Sequence, residues 1–191
     1  MAVVTESAVQ LTRIVLGALA HGRAVEIDGL GTFHPDRRFG VRFEGAIRPK
    51  VFLAYVKEDQ DVVERLYDQL ETEGFSPWMD VRKLVPGQSW PRAIDAAIEN
   101  SDFFLACFST RSVNKRGGFQ VEIRYALDCA RRLPLDEIFL VPVRLDDCRV
   151  PRPIQKETHY IDLFPDWECG VRKLGAMLRE EKGEHRKREL F

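Results

Sequence analysis

The side chains of this chain that can do chemistry collect in four short stretches. They are Tyr55-Val56-Lys57-Glu58-Asp59, Trp78-Met79-Asp80 running into the segment Val81–Ser89, the lone Ser109, and Glu122. Each of the first three ends an apolar run, and Glu122 comes one short loop after Ser109. In an open α/β sheet such places gather ligands, because strand carboxyl ends and helix N-termini converge there. Glu122 is singled out by its position on a helix. Phe119, Ile123, Ala126, Leu127 and Ala130 make the apolar stripe, and Glu122 falls roughly 80° from its centre at 100° per residue, on the edge of the buried face. The bland alternative is a solvated helix acid paired with Arg124 or Lys115.

Several chemistries are excluded by what is missing. There is no Gly-x-Gly-x-x-Gly and no Gly-x-x-x-x-Gly-Lys-Ser/Thr loop, so neither Rossmann dinucleotide binding nor P-loop chemistry is expected. A phospho-accepting receiver would end its third strand in aspartate, where Cys107-Phe108-Ser109 stands. Cys107, Cys129, Cys148 and Cys169 occur singly, which argues for reduced structural thiols rather than a disulfide framework or zinc knuckle. None of His21, His34, His159 or His185 has a partner implied by spacing, so no histidine base and no metal site is expected.

Elements able to position these residues can be read from the apolar pattern. Short continuous runs at Val51–Tyr55, Phe75–Met79, Phe103–Phe108, Ile138–Val143 and Tyr160–Leu163 alternate with helical ones, the signature of a parallel sheet covered on both faces. Val62, Val63, Leu66 and Leu70 mark one helix. Trp90, Ile94 and Ile98 mark a second, with Ser89 as N-cap and Pro91 in its first turn. A third spans roughly 118–132, and a last carries Trp167, Val171, Leu174 and Leu178 before a tail of mixed charge. Ahead of Pro49 lie an amphipathic helix from Thr5 to Ala20, with Leu11, Ile14, Val15, Ala18 and Leu19 as its stripe, and a small antiparallel sheet read from Val25, Ile27, Val41 and Phe43. The 191 residues allow one domain of ordinary size and a small attachment, expected at 50–178 and 1–47, with 179–191 as the charged tail. A net charge of -1 gives no global field for a polyanion. The N-terminus lacks a signal-type apolar run, and a cytoplasmic location is expected.

Val51-Phe52-Leu53-Ala54-Tyr55, Trp78-Met79-Asp80, Leu84-Val85-Pro86-Gly87-Gln88-Ser89-Trp90 and Gln120-Val121-Glu122-Ile123-Arg124-Tyr125-Ala126-Leu127, in this order, resemble a bacterial TIR (Toll/interleukin receptor) domain from about Lys50 to Leu178. The resemblance implies a flavodoxin-like five-stranded parallel sheet, a BB loop at Val81–Ser89, and NAD+ as substrate rather than cofactor. Many such domains cleave it with a glutamate at the start of the third helix, which is Glu122 here. Nicotinamide leaves NAD+ as a neutral pyridine, so the reaction needs no general acid. Its transition state is a ribosyl oxocarbenium ion that one carboxylate can stabilise. Phe52, Tyr55, Trp78 and Phe119 are placed to supply an aromatic wall, with a core position as the alternative for Phe52 and Trp78; Asp80 organises the loop or touches ribose; Arg82 and Lys83 are placed to meet the pyrophosphate, with a merely solvated loop tip as the alternative; and Ser109, at the end of the third strand, is a further substrate-binding candidate. Gly118 stands where many catalytic relatives carry an aromatic.

Leu19-Ala20-His21-Gly22-Arg23-Ala24-Val25-Glu26-Ile27-Asp28-Gly29-Leu30-Gly31-Thr32-Phe33 looks like the first helix and strands of the histone-like HU and integration-host-factor family. Those proteins grip the minor groove with long basic arms. Here Arg48-Pro49-Lys50 already opens the next domain, and the segment 1–50 carries only about +2 net charge, a modest phosphate footprint. Three readings follow: an assembly-activated NAD+ nucleosidase of bacterial defence type, yielding nicotinamide with ADP-ribose or a cyclised form; a non-catalytic TIR adaptor; and a DNA-sensing protein. Self-association is expected through both the TIR domain and the front segment, with weak or no nucleic-acid binding and no membrane contact.

Overall fold

A strand buried at every residue has no solvent face, and Phe103–Phe108 is such a strand. It must lie inside a sheet covered on both sides. The computed structural model describes residues 6–27, 30–36, 40–45, 48–83, 87, 89–134 and 136–188, and divides into two units at Arg48/Pro49.

In the first unit α1 (Glu6–Ala20) is followed by β1 (Val25–Ile27), β2 (Gly31–Asp36) and β3 (Gly40–Gly45), an antiparallel sheet in the order β1-β2-β3. Phe33 pairs with Val25 on one side and Phe43 on the other, and the two phenylalanine rings lie 4.7 Å apart. The sheet has one more strand than the alternation at Val25–Ile27 and Val41–Phe43 suggests. β2 contains Pro35 and begins at Gly31, residues that read as punctuation. Of the stripe on α1, Val15 and Leu19 are buried, whereas Leu11 and Ile14 are exposed, as are Val9 and Leu16.

The second unit runs β4 (Lys50–Ala54), a 3-10 turn (Lys57–Asp59), α2 (Gln60–Thr72), β5 (Ser76–Trp78), α3 (Asp80–Lys83), α4 (Trp90–Glu99), β6 (Phe103–Phe108), α5 (Gly118–Ala130), β7 (Leu140–Arg144), α6 (Arg152–Glu157), β8 (Ile161–Asp162) and α7 (Trp167–Arg188). Its strands form one parallel sheet in the order β5-β4-β6-β7-β8. This is the flavodoxin-like arrangement. Two cores sandwich it. On one face Val63, Leu66 and Leu70 of α2 and Val171, Leu174 and Leu178 of α7 meet Val51, Leu53, Phe103 and Leu105. On the other, Ile98 of α4, Phe119, Ile123 and Ala126 of α5 and Ile154 of α6 meet Phe52, Phe104 and Phe108. Burying each such side chain contributes about 1.5–3 kcal/mol.

Two details fix the far edge. Arg144 donates Nε and Nη2 to Asp162 at 2.6 and 2.9 Å, and its guanidinium lies between the rings of Tyr160 and Phe164. Gly170 leaves no room for a side chain, since a Cβ would stand 2.4 Å from the Asp162 carbonyl oxygen. α7 therefore presses directly on β8. It continues as helix through Arg188, past the expected start of the tail. No helix among the described residues is long and apolar enough to cross a membrane.

Candidate active site

The carboxyl ends of β4 and β5 and the first turns of α5 are where the expected site residues lie. Tyr55 follows β4, Asp80 opens α3 two residues after β5, and Glu122 lies one turn into α5. The Tyr55 hydroxyl donates to Asp80 Oδ1 at 2.5 Å, and the same oxygen accepts the Val81 N–H at 2.8 Å.

Glu122 is half-buried, and its pKa is pushed up to about 7, first by burial and then by the charge of Asp80. The Tyr55 hydroxyl is held above its ordinary range by burial, then by its bond to Asp80, then by the charges of Asp80, Glu64 and Glu122. Tyr55, Asp80 and Glu122 thus share one local field. Among the described residues no hydrogen bond or ion pair holds the Glu122 carboxylate. Lys115, a candidate partner from sequence, pairs instead with Glu58. The lack of a side chain at Gly118 keeps space open beside Glu122: a Cβ there would stand 3.9 Å from its Oε1.

Other expected ligand contacts are placed elsewhere. Phe52 is 1% exposed, stacked between Trp78 at 4.7 Å and Phe104 at 5.2 Å, so it supports the wall rather than forming its surface. Trp78 itself is half-buried. Phe119 is buried edge-on against Phe108. Arg82 turns to α2, where its guanidinium pairs with Asp68 at 2.6 Å and lies over the Tyr67 ring, and the Lys83 ammonium lies 6.0 Å from that ring. An arginine spent on two acids of α2, Asp68 and Glu64, is not presented to a pyrophosphate. Leu84, Val85, Pro86 and Gln88 of the BB-loop segment lie outside the described residues.

Ser109 is also inside the protein. Its Oγ donates to Asp59 Oδ2 at 2.5 Å and accepts the Arg111 and Ser112 N–H groups at 3.1 Å each. Asp59 is 2% exposed and its other oxygen lies 3.4 Å from Arg111 Nε. Both lie at strand ends by the apolar pattern, which carries no signal that pairs residues fifty positions apart. Among the described residues no group of three or more His, Cys, Asp or Glu side chains is arranged to hold a metal ion.

What the arrangement offers is a half-buried carboxylate with no paired cation among the described residues, next to Gly118 and in the field of Asp80, at the carboxyl ends of a five-stranded parallel sheet. A TIR-domain family model matches residues 51–174, and the chain belongs to the TIR domain family. Protein y4cD of Sinorhizobium fredii is 27% identical over 124 residues, 65% of this chain, but the chain spans only 19% of that protein. The TIR domain of the Toll-related receptor TRR-2 of Hydra magnipapillata superposes with a TM-score of 0.55 at 23% identity, covering 68% of this chain and 97% of that one. A prokaryotic SEFIR domain gives 0.51 at 16% identity, over 67% and 96%. These two likenesses bear on the fold alone.

Proposed function

We propose that this TIR domain cleaves the nicotinamide–ribose bond of NAD+, with Glu122 as the working carboxylate. The observation that supports the reading most is the state of Glu122, half-buried, with its pKa raised by burial and then by Asp80, and paired with no cation among the described residues. A carboxylate kept in so unfavourable a place gains most when a cation is set beside it. NAD+ brings that cation. As the C1′–N bond breaks, its electron pair moves to the pyridinium nitrogen, nicotinamide leaves neutral, and positive charge passes to the ribose ring next to Glu122. Water then adds at C1′ and gives up a proton to the carboxylate, yielding ADP-ribose; attack by a ring nitrogen of the adenine yields the cyclised form. Asp80, steadied by Tyr55, maintains the negative field, and Trp78 on Phe52 gives the cleft a rigid aromatic side.

Assembly belongs to the same proposal. Val81, which opens the BB-loop segment, and Trp90, which follows it, are 50% and 64% exposed, and Val121 beside Glu122 is 62% exposed. Apolar side chains around a catalytic edge suit docking by a second TIR domain, which also supports the adaptor as second reading. The front unit is read as a further self-association element, with weak or no affinity for DNA despite its likeness to HU; a role in bacterial defence and a cytoplasmic setting complete the proposal. The deciding experiment is nicotinamide release from NAD+ by the purified chain and by Glu122→Gln. Loss of one charge-stabilising group lowers rate by about 10²–10³-fold, and near-normal release by the variant refutes the role given to Glu122.

A further inference from the structure

We propose that Asp59 is a positioning residue for Glu122: its buried carboxylate latches the segment between β6 and α5 onto the turn after β4, and so sets how deeply the first turns of α5 hold Glu122. The inference rests on the reading of Glu122 as the working carboxylate and adds a residue that does not touch substrate.

The latch has contacts along most of the segment. At its start Ser109 Oγ bonds Asp59 Oδ2, while Ser112 Oγ accepts the Ser109 N–H at 2.7 Å. Two residues on, Arg111 reaches back, with Nε 3.4 Å from Asp59 Oδ1 and Nη1 donating to the Glu58 carbonyl at 2.5 Å. Further along, Lys115 pairs with the Glu58 carboxylate. Thr110 is held separately from the β7 side, through its N–H and hydroxyl on Asp146, each at 2.8 Å. The segment then turns at Gly117, whose φ of 131° favours glycine, and enters α5 with Phe119 packed on Phe108. Glu122 is three residues beyond Phe119.

A carboxylate that is 2% exposed is costly unless charge and hydrogen bonds compensate it. An apolar side chain of similar size would fill the same space at less cost. What only the carboxylate does is tie Tyr55's turn to Glu122's loop in one geometry. Asp59 faces Ser109, Arg111 and the Cys107 thiol, whose pKa its charge helps raise. Glu122 faces Asp80 and Tyr55. Because the two sets share no member, Asp59 acts on Glu122 through the backbone of residues 109–118 and not through its own field.

The test is a ¹³C-carboxyl NMR titration of the full chain, with the Glu122 resonance assigned by its loss in Glu122→Gln. In the wild type it should titrate near 7. In Asp59→Asn, which keeps the size but turns one of the two acceptor oxygens into an NH2 donor and removes the charge facing Arg111, the midpoint should fall by at least one pH unit toward the ordinary glutamate range, as a loosened α5 start lets water reach the carboxylate. An unchanged midpoint in folded Asp59→Asn, whatever the loss in thermal stability, would overturn the proposal, since a merely structural role lowers the melting temperature without moving it. Should Asp59→Asn not fold, Ser109→Ala carries the same test, with a downward shift expected and an unmoved midpoint refuting. The readout needs no turnover, so a wild type that releases no nicotinamide would refute the proposed function and leave this test standing.

Discussion

The Tyr55 hydroxyl and the Asp80 carboxylate, 25 positions apart, meet at 2.5 Å and join the carboxyl ends of two adjacent parallel strands. A hydrogen bond to a charged, part-buried acceptor contributes about 1.5–3 kcal/mol. Tyr55→Phe keeps the ring and removes only the donor, leaving Asp80 Oδ1 with the Val81 N–H. Unfolding in denaturant should show a loss within that range at unchanged m-value. A difference below about 0.3 kcal/mol would show that solvent replaces the hydroxyl without cost.

Glu122 should impose two opposite pH trends. In the proposed reaction the charged form does the work, so kcat/KM should rise with pH around a midpoint of about 7, and Asp80→Asn, which removes the neighbouring charge, should lower that midpoint. Stability runs the other way. A carboxyl raised from 4.5 to about 7 keeps its proton in the folded state over a range where the unfolded chain has lost it, so folding weakens as pH climbs through that window. Above pH 7 Glu122→Gln should therefore be more stable than wild type by on the order of 1–3 kcal/mol. A less stable Gln variant at pH 8 would show that the site does not strain its carboxylate.

Much of this geometry was legible in the sequence, and the exceptions have definite causes. Phe103–Phe108 reads as a buried strand because no residue in it is polar, and its limits match the observed β6. Ile138 reads as part of β7 by hydrophobicity alone, yet it is 37% exposed and precedes the strand. α3 and α6 are four and six residues long, too short to show a helical period. Glu122 at the margin of its helix stripe followed from the 3.6-residue repeat, and half-burial is what that margin implies. For Phe52 and Ser109 the sequence leaves surface and interior both open, for a reason of range. Strand alternation says that a side chain leaves one face of the sheet, and only the packed helices decide whether that face is solvent or core.

Gly118 should tolerate a methyl group. The added Cβ would meet Glu122 Oε1 at 3.9 Å, ordinary van der Waals contact, and the position lies in the first turn of α5. Gly118→Ala should then raise stability by about 0.5–1 kcal/mol through the lower backbone entropy of the unfolded chain. Nicotinamide release should persist. Loss of stability would mean that the start of α5 needs glycine for a reason other than space, and loss of turnover alone would mark the methyl as an obstacle on the substrate path.

Activity should depend on assembly through the exposed residues flanking the BB-loop segment. Diluting the wild type should lower its specific activity, and Trp90→Ala, which removes a 64% exposed indole at the N-terminus of α4, should shift that curve to higher protein concentration with little change in melting temperature. High specific activity that stays constant on dilution, with light scattering reporting only monomer, would remove the assembly requirement.

The front unit should self-associate through α1. Among the described residues of α1 the buried large apolar ones are Val15 and Leu19, while Val9, Leu11, Ile14 and Leu16 are 45–60% exposed on either side of them. At 100° per residue these six cover more than half of the helix circumference, a wider arc than a three-stranded sheet can shield. A unit of this size rarely supports itself without further cover. Substituting Ile14→Glu and Leu16→Glu together in the full chain places two charges on that arc without disturbing Val15 or Leu19. Molar mass by light scattering should fall toward the monomer while the sheet unit keeps its melting transition, and an unchanged mass would assign association to the TIR domain alone. DNA binding by the wild type should be weak and lost at moderate salt, because a net excess of about two positive charges over residues 1–50 releases few counterions. Nanomolar, salt-resistant binding to duplex DNA would instead make this unit a nucleic-acid sensor.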